Sequence, residues 1–514
     1  MGVTGLSELS TESLVTILAL VGSVIIIAAL LSGLIERSGF PQIAVFLLMG
    51  AIIGPAGLGV FDVTLTSPIL HIVATLSLVL VLFTDAIALD LEEVRRSSRL
   101  TLLILGPGTL LTAALVALLA WAFLHLSIPA SILIGAALAS TDPVLLRGFL
   151  RLGNVPSNVK QGLRLESGLN DIVLLPIVLV AMTFLQEKAP QTASEWARIA
   201  LDLFVLGPGA GILIGVCGVA TMAVIRRNIG IRREYESLYS LGIAFTAYAA
   251  AEAVHGSGFL AAFAAGFVIA ALDVEMCDCF LEYGETTAEL TLLFTFVLFG
   301  TSLIWSGLTI LSLPLILFAI CALLVRPFSL LLSLVRERMT RKERLLISWF
   351  GPRGLSSLLL VLLPVFSGIS AGEQLFEITS VVVLLSILVH GGSSSFIVRR
   401  NSHTRDTQPP HVPEEASEQP ASTKQVVEFM PREQAQIAMK RGKQAIPDRL
   451  TLDEIQRLQK HGKNIYLIDA RKTRSYEKSD VQAKGSLRID PDHAVEQVRQ
   501  LNLPLTAWLI PYCT

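Results

Sequence analysis

The feature that most constrains this chain is a series of long apolar runs that recur as far as residue 398. A helix needs about 20 consecutive apolar residues to cross the hydrocarbon core of a bilayer. A soluble protein rarely buries many such runs in its core. We therefore predict an all-α polytopic membrane protein with about 13 transmembrane helices, at 13–34, 40–57, 68–88, 100–124, 129–149, 165–184, 197–225, 238–254, 259–272, 289–306, 310–334, 345–366 and 376–397.

The composition divides the chain into an apolar part and a polar tail. Hydrophobic residues make up 53% and charged residues 16%, whereas typical soluble domains are about 25% charged. The pattern predicts a transmembrane domain at 1–398, a flexible linker at 399–447 that is rich in Pro, Glu, Gln and Ser, and a small cytoplasmic domain at 448–514. We expect membrane lipid as a partner, and neither a cofactor nor a nucleic acid.

The basic residues of the loops predict the orientation. Cytoplasmic loops carry an excess of Lys and Arg, and alternate loops are basic here, with the N-terminus outside and the tail inside. The N-terminus has no basic region and no small-residue cleavage site, so the first run is expected to be retained in a cell (inner or plasma) membrane. Examples of the basic loops are Arg95 with Arg96, Arg226 with Arg227, and Arg399 with Arg400.

Two of the runs are interrupted in the middle by a proline and a charge. The fifth contains Ser140-Thr141-Asp142-Pro143, and the twelfth contains Gly351-Pro352-Arg353-Gly354. Proline frees backbone groups, which are tolerated at membrane depth only where protein or a wet cavity satisfies them. The two spans are seven apart, so equivalent spans would run in opposite directions. This pattern predicts a transporter with inverted repeats, whose interrupted helices cross at the midplane.

Ionisable residues inside the predicted spans indicate what is transported. An acid at the membrane centre costs roughly 2.5–3.5 kcal/mol. A surplus acid can be neutralised by a proton or by a bound cation, so the two compete for the same oxygens. Hard alkali cations prefer oxygen ligands, which Asp171, Ser167 and a freed carbonyl at Thr141 would supply. The ionisable residues are Asp85, Asp142, Glu166, Asp171, Glu252, Arg326 and Arg353.

Several motifs, in order, carry a family resemblance over about 1–398. Thr141-Asp142-Pro143 followed by Glu166-Ser167-Gly168-Leu169-Asn170-Asp171 resembles the cation/proton antiporter family of Na+/H+ exchangers, in its asparagine–aspartate branch. Arg326-Pro327 fits the same family, as does Gly351-Pro352-Arg353-Gly354, where the family usually has G-L-R-G. The resemblance implies secondary active transport by alternating access, with a core that moves against a dimerisation scaffold in a homodimer.

The resemblance also implies roles around the ion. Asp171 would bind either the cation or the proton, and Ser167 and the main chain at Thr141 would be further ligands. Asn170 stands where the electrogenic branch has a second aspartate, which implies electroneutral exchange. Asp85 resembles a position near the ion in some members; the alternative is an acid at a span end that faces the cytoplasm.

Other residues are implied to be structural. Glu166 would pair with Arg326, so that neither buried charge is left bare. Asp142 would balance the helix termini at the break. His255 invites comparison with a pH sensor, but the plainer interpretation is a histidine satisfied at a short turn. The interrupted helices would be supported by Pro143, Gly351, Pro352 and Arg353.

The tail resembles part of a rhodanese-like domain. A predicted strand at Ile465-Tyr466-Leu467-Ile468 leads into Asp469-Ala470-Arg471, and a second strand ends next to Cys513. In that family a nucleophilic cysteine follows a strand and begins an active-site loop. That loop and the rest of the sheet are absent from this sequence, and an unsupported thiol is mostly protonated at neutral pH. Sulfurtransferase activity is therefore not expected of this sequence: either the sequence is truncated, or the module is vestigial or regulatory, with Cys513 as a candidate redox thiol.

Together these observations predict a transporter and not an enzyme. The hypothesis is exchange of a monovalent cation for H+, with Na+ first and Li+ or K+ as alternatives. One rival is a cation channel lined by the same acids, which would conduct without obligatory proton counterflow. Another is a membrane-anchored sulfurtransferase or sulfur sensor that uses the tail.

Overall fold

The computed structural model describes most of the membrane-domain sequence and parts of the tail. The described residues are 18, 21–23, 25–27, 30, 42–60, 62–89, 91–150, 155–186, 190–228, 233–272, 278–337, 339–405, 465–471, 476, 482–483, 485–489, 497, 501 and 508–512. The chain divides into two compact units, Met1–Pro410 and His411–Thr514.

The first unit is helical throughout its described part. Its helices are α1 (Gln42–Ile53), α2 (Pro68–Ile87), α3 (Leu91–Arg96), α4 (Ser98–Leu103), α5 (Leu110–Leu124), α6 (Ile128–Ala139), α7 (Pro143–Leu150), α8 (Ser157–Leu185), α9 (Ala193–Leu201), α10 (Gly207–Asn228), α11 (Arg233–Ala253), α12 (Gly258–Ala271), α13 (Asp278–Thr301), α14 (Leu313–Ser333), α15 (Arg341–Trp349), α16 (Leu355–Phe366) and α17 (Gly372–Arg405). Short π-helical segments, Ile104–Thr109 and Asp202–Leu206, join α4 to α5 and α9 to α10.

Many of these helices have the length and composition of membrane spans. Within the described residues, six helical segments of at least 18 residues are apolar enough to cross a bilayer, and five further apolar helices are shorter. The short ones include α6 and α16, each of which is one half of a predicted interrupted span. The predicted multi-pass helical architecture is therefore confirmed, while the number thirteen stays a prediction because the first run lies largely outside the described residues.

Small residues let neighbouring helices approach closely, as in other membrane bundles. Where α1 crosses α13, a Cβ on Gly50 would collide with the backbone at Gly300, and one on Gly300 would collide with the backbone at Leu47. Both glycines are therefore required by the closeness of the two helices. The core that forms around such crossings contains residues of α2, α6, α8, α13, α16 and α17.

The two interrupted spans break where the sequence predicts. Helix α6 ends at Ala139 and Ser140 turns into extended backbone, with φ −63° and ψ 139°. Pro143 then begins α7, because proline has no N–H to continue the preceding helix and disfavours helical backbone before it. On the other span α15 ends at Trp349, and α16 begins at Leu355 after the proline-containing segment.

The second unit contains a small parallel sheet. Its strands are β1 (Ile465–Asp469), β2 (Leu487–Arg488) and β3 (Trp508–Tyr512), in the order β2-β1-β3. Both neighbours pair with β1 in parallel, with Ile465 opposite Trp508 and Ile468 opposite Leu487. The two predicted strands are confirmed, and most of the predicted linker, 406–447, lies outside the described residues.

The structure adds two features that the sequence analysis does not foresee. Glu252, placed inside a span by its apolar neighbours, is exposed at the end of α11, where its carboxylate accepts a hydrogen bond from the backbone N–H of Gly258 at 3.0 Å. It therefore caps the next helix at a turn where His255 takes a positive φ of 62°. In addition, α17 continues to Arg405, past the predicted start of the linker at residue 399.

Candidate functional site

The two helix interruptions contact each other and satisfy each other's freed backbone groups. The guanidinium of Arg353 donates from Nη1 to the carbonyl oxygens of Ala139, at 2.7 Å, and Ser140, at 3.1 Å, which are the last carbonyls of α6. In return, the carboxylate of Asp142 accepts from the backbone N–H of Leu355 at 2.8 Å, at the start of α16. A cation therefore lies at a helix C-terminus and an anion at a helix N-terminus, which the helix dipole favours.

A backbone hydrogen bond completes the crossing. The N–H of Asp142 donates to the carbonyl oxygen of Pro352 at 3.0 Å. Glycine is required on both sides of Pro352-Arg353. A Cβ on Gly351 would overlap the guanidinium of Arg326, and one on Gly354 would overlap the carboxylate of Asp142. The G-P-R-G segment thus lets two charged side chains approach the main chain.

Asp171 lies on α8 beside this crossing and is 5% exposed. Its Oδ1 accepts a hydrogen bond from the hydroxyl of Ser140 at 2.7 Å. The hydroxyl of Ser167, four residues earlier on α8, instead donates to the carbonyl oxygen of Arg164 at 3.4 Å. Ser140, which the sequence analysis did not single out, is therefore the serine in contact with the carboxylate.

Asn170 joins α8 to the same break. Its amide Nδ2 donates to the hydroxyl of Thr141 at 2.9 Å and lies 3.5 Å from the Thr141 carbonyl oxygen. Both residues are buried, and among the described residues the Oδ1 of Asn170 has no hydrogen-bond partner. The site thus holds an unsatisfied amide oxygen next in sequence to a buried carboxylate.

A buried ion pair lies about one turn before Asn170 on α8. Arg326, from α14, donates to Glu166 from Nε at 3.0 Å and from Nη2 at 2.6 Å. The same guanidinium donates from Nη1 to the carbonyl oxygen of Ser348 at 2.6 Å, at the end of α15. The pair therefore ties α8, α14 and the interrupted span together.

A histidine on α17 that the sequence analysis did not consider, His390, lies next to the interruption at Arg353. The hydroxyl of Ser386 accepts the backbone N–H of Arg353 at 2.7 Å, and the Nδ1 of His390 lies 3.1 Å from the same hydroxyl. His390 is 6% exposed and its ring lies against Trp349. The i, i+4 spacing of the serine and the histidine was visible in sequence, but nothing in an apolar helix marked which residue it faced.

The structure gives less detail for three other predicted site residues. Asp85, near the end of α2, is partly exposed. Pro143 begins α7, and its side-chain surroundings lie outside what the structure describes. Cys513 is likewise outside the described residues. No group of three His, Cys, Asp or Glu side chains suited to a bound metal ion occurs among the residues that were placed.

Comparison with known proteins decides the family. The model of "Sodium/hydrogen exchanger, transmembrane" matches residues 24–400, which is most of the chain. The chain belongs to the sodium/hydrogen exchanger family. The prediction that it is a transporter and not an enzyme, and that it is a multi-pass membrane protein, is confirmed by this match.

Relatives of this chain include proteins named for different cations. It is 27% identical to the K(+)/H(+) antiporter NhaP of Alkalimonas amylolytica over 73% of this chain and 64% of that protein. It is 24% identical to Na(+)/H(+) antiporter 2 of Zygosaccharomyces rouxii over 55% of this chain and 40% of that protein. The chain thus spans less than two thirds of the length of these curated relatives.

The fold of the membrane domain is similar to that of a solved structure. The sodium proton antiporter MjNhaP1 of Methanocaldococcus jannaschii superposes with a TM-score of 0.60, covering 74% of this chain and 99% of that one at 21% identity. The alignment shows the shared fold of the membrane domain.

Proposed function

We propose that this exchanger moves one monovalent cation against one proton, with Asp171 carrying either of them. The observation that supports this best is a count of buried charges. In the described part of the membrane unit, the buried acids are Asp142, Glu166 and Asp171, and the buried guanidinium groups are Arg326 and Arg353. With the imidazole of His390 counted as neutral, three negative and two positive charges leave one negative charge over.

A single uncompensated charge in a buried site is costly, at several kcal/mol even after the protein relaxes. One proton or one monovalent cation removes it, and a site that always holds one or the other moves no net charge per cycle. Glu166 has Arg326 as its partner, and Asp142 has the backbone N–H of Leu355. The remaining carboxylate is that of Asp171, which accepts a hydrogen bond from the hydroxyl of Ser140 at the crossing. It is therefore the group to which we assign the exchange.

The interrupted helices give the site a route to alternating access. They meet through side-chain and backbone hydrogen bonds beside Asp171, so a core built on them can shift as one body relative to its surroundings. We place the protein in a cell membrane, with the N-terminus outside, the tail in the cytoplasm, inverted repeats across the membrane and a homodimer as the working unit; the family resemblance supports these assignments.

The cation is the next question. Na+ is our first candidate, because the sequence motifs resemble Na+/H+ exchangers. K+ is the second, because the relative aligned over the greater share of the chain is named a K(+)/H(+) antiporter. Both cations prefer oxygen ligands such as those around Asp171. The types of ligand at the site therefore do not favour Na+ over K+.

The test is exchange in proteoliposomes that contain a pH-sensitive dye. A gradient of Na+, K+ or Li+ is imposed in turn, with the membrane potential clamped or left free. We expect a cation-driven pH change that clamping does not accelerate, as electroneutral exchange requires. Cation uptake without any proton movement would contradict the proposal and indicate a channel.

For the tail we propose a regulatory role rather than catalysis. Its parallel sheet around β1 supports an α/β module, and Asp469 forms a buried ion pair with Arg471 at 2.6 Å within it. Deletion of residues 406–514, which leaves α17 intact, should change the pH dependence of exchange while exchange itself persists. Unchanged exchange at every pH would contradict a regulatory role, and thiosulfate-to-cyanide transfer lost on Cys513→Ser would indicate a sulfurtransferase instead.

A further inference from the structure

His390 is a buried histidine on α17 to which the proposed exchange assigns no role. It is 6% exposed. A polar ring that is buried in an apolar environment costs free energy unless it forms hydrogen bonds. The hydrogen-bond partners of His390 therefore indicate what the residue does.

One partner is Ser386, which lies one helical turn earlier on α17. The hydroxyl of Ser386 accepts the backbone N–H of Arg353 at 2.7 Å, so its own hydrogen can be donated to another group. Among the described residues, the acceptor within reach of that hydrogen is the Nδ1 of His390, at 3.1 Å. Nδ1 also lies 3.2 Å from the carbonyl oxygen of Ser386, but that oxygen already takes part in the backbone hydrogen bonds of α17.

These hydrogen bonds determine the tautomer of the histidine ring. A ring nitrogen that accepts a hydrogen bond carries no hydrogen, so the neutral imidazole has its hydrogen on Nε2. The hydroxyl of Ser386 then has a fixed direction for its hydrogen and presents a lone pair to the N–H of Arg353. With the hydrogen on Nδ1 instead, the hydroxyl of Ser386 would lose its acceptor and its orientation would no longer be fixed.

A second set of contacts joins the same stretch of α17 to the other side of the interruption. The indole Nε1 of Trp349, the last residue of α15, donates to the hydroxyl of Ser393 at 3.3 Å. That hydroxyl donates to the carbonyl oxygen of His390 at 3.0 Å, and the rings of Trp349 and His390 lie 5.7 Å apart. His390 therefore lies between the two attachments of the interruption to α17, one at Trp349 and one at Arg353.

The main chain of Arg353 matters because the side chain of the same residue reaches the opposite interruption. Its Nη1 donates to the last carbonyl oxygens of α6, those of Ala139 and Ser140. A group that holds the N–H of Arg353 therefore also helps to hold its guanidinium at the end of α6. His390 is connected to this contact through Ser386.

From these contacts we infer that His390 is a positioning residue for exchange: its Nδ1 accepts the hydrogen of Ser386, and Ser386 holds the main chain of Arg353 in the second interruption. The inference rests on the proposed cation–proton exchange and adds a residue that binds neither the cation nor the transported proton. Loss of His390 should therefore lower the rate of exchange and leave the affinity for the cation unchanged.

The test compares three substitutions of His390 in proteoliposomes that contain the full chain. The side-chain oxygen of an asparagine can occupy the position of Nδ1 and accept the hydrogen of Ser386, whereas the amide of a glutamine lies one bond farther out and a leucine has no acceptor. We expect His390→Leu and His390→Gln to lower the maximal rate about fivefold, as one lost hydrogen bond implies. His390→Asn should stay within about twofold of the parent, and the half-saturating cation concentration should stay within about twofold in all three.

A double variant separates this role from simple packing. If His390 acts through Ser386, its loss should have no further effect once that hydroxyl is gone, so Ser386→Ala with His390→Leu should exchange at the rate of Ser386→Ala alone. A residue that only fills space would lower the rate by the same factor in both backgrounds. His71 provides a matched control, because its ring stacks on Phe366 at 4.2 Å, at the far end of α16. His71→Leu should exchange within about twofold of the parent.

Rates are compared at equal amounts of folded, reconstituted protein. If His390→Leu does not fold, the comparison of His390→Asn with His390→Gln decides alone, since both amides are polar and close in size. A rate in His390→Asn as low as that in His390→Gln would overturn the inference, and so would a full further loss from His390→Leu in the Ser386→Ala background. Absence of exchange in the parent chain would refute the proposed function instead, so the two failures are distinguishable.

Discussion

The buried pair between Glu166 and Arg326 offers a stability prediction that the geometry makes quantitative. The two side chains are 4% and 3% exposed, and two hydrogen bonds join them. Removal of one member of a buried pair leaves the other charge uncompensated, which costs about 3–5 kcal/mol. We therefore expect Arg326→Gln to destabilise the membrane domain by an amount in that range.

The partner variant and the double variant separate charge from packing. In Glu166→Gln, Arg326 keeps its hydrogen bond to the carbonyl oxygen of Ser348 at 2.6 Å, so the loss should fall at the lower end of the range. With both substitutions neither residue of the pair carries a buried charge, and the remaining cost is that of imperfect hydrogen bonds, about 1–3 kcal/mol. The double variant should therefore be more stable than Arg326→Gln alone.

The assay is thermal unfolding in detergent, followed by intrinsic fluorescence, with apparent midpoints compared at one heating rate because unfolding of such proteins is often irreversible. Arg198→Gln is a matched control, since Arg198 pairs with Asp202 at 3.8 Å on an exposed helix face, where an ion pair contributes about 0–1 kcal/mol. A double variant whose midpoint falls by the sum of the two single losses would refute the reasoning.

Three further outcomes follow from the crossing and its surroundings. Gly351→Ala should lower the unfolding midpoint to about the same degree as loss of that ion pair, because the new methyl group would displace the buried guanidinium. Ser386→Ala should cost about 1–3 kcal/mol in the same assay, because the backbone N–H of Arg353 loses its acceptor. Hydrogen bonds from Thr340 hold the pKa of Glu343 below its usual value, so this helix cap is complete above the ordinary glutamate pKa and is lost as pH falls through the lowered one. The protection factor for amide hydrogen exchange at the start of α15, which removes the intrinsic pH dependence of exchange, should therefore fall with acidification, and Thr340→Ala should abolish that dependence.

The fold could be predicted from sequence where the physical signal is local. Proline next to a charge inside an apolar run is costly unless the helix is broken and compensated, and both breaks occur at the predicted residues. Glu252 shows the limit of this reasoning. Its apolar neighbours place it near the end of a predicted span, but they do not show that its carboxylate caps the next helix, across a turn where His255 has a positive φ.

The candidate site was predictable in its carboxylate and less so in its hydroxyls. Ser167 shares a helix face with Asp171, which periodicity detects. Ser140 is 31 residues from Asp171 in sequence, and its hydroxyl reaches the carboxylate only because the break turns the backbone out of α6. Contacts across a crossing of two interrupted helices depend on the direction of the backbone at each break. A single sequence does not reveal that direction. His390 escaped notice for the same reason.

The central claim is that a single carboxylate, Asp171, binds the cation and the proton in turn, and one measurement tests it directly. Proteoliposomes with the parent chain or with Asp171→Asn are given the same outward cation gradient, and internal pH is followed. The account predicts cation-driven proton movement in the parent and none in Asp171→Asn, at equal amounts of folded, reconstituted protein. Proton movement that persists in Asp171→Asn at a comparable rate would contradict it.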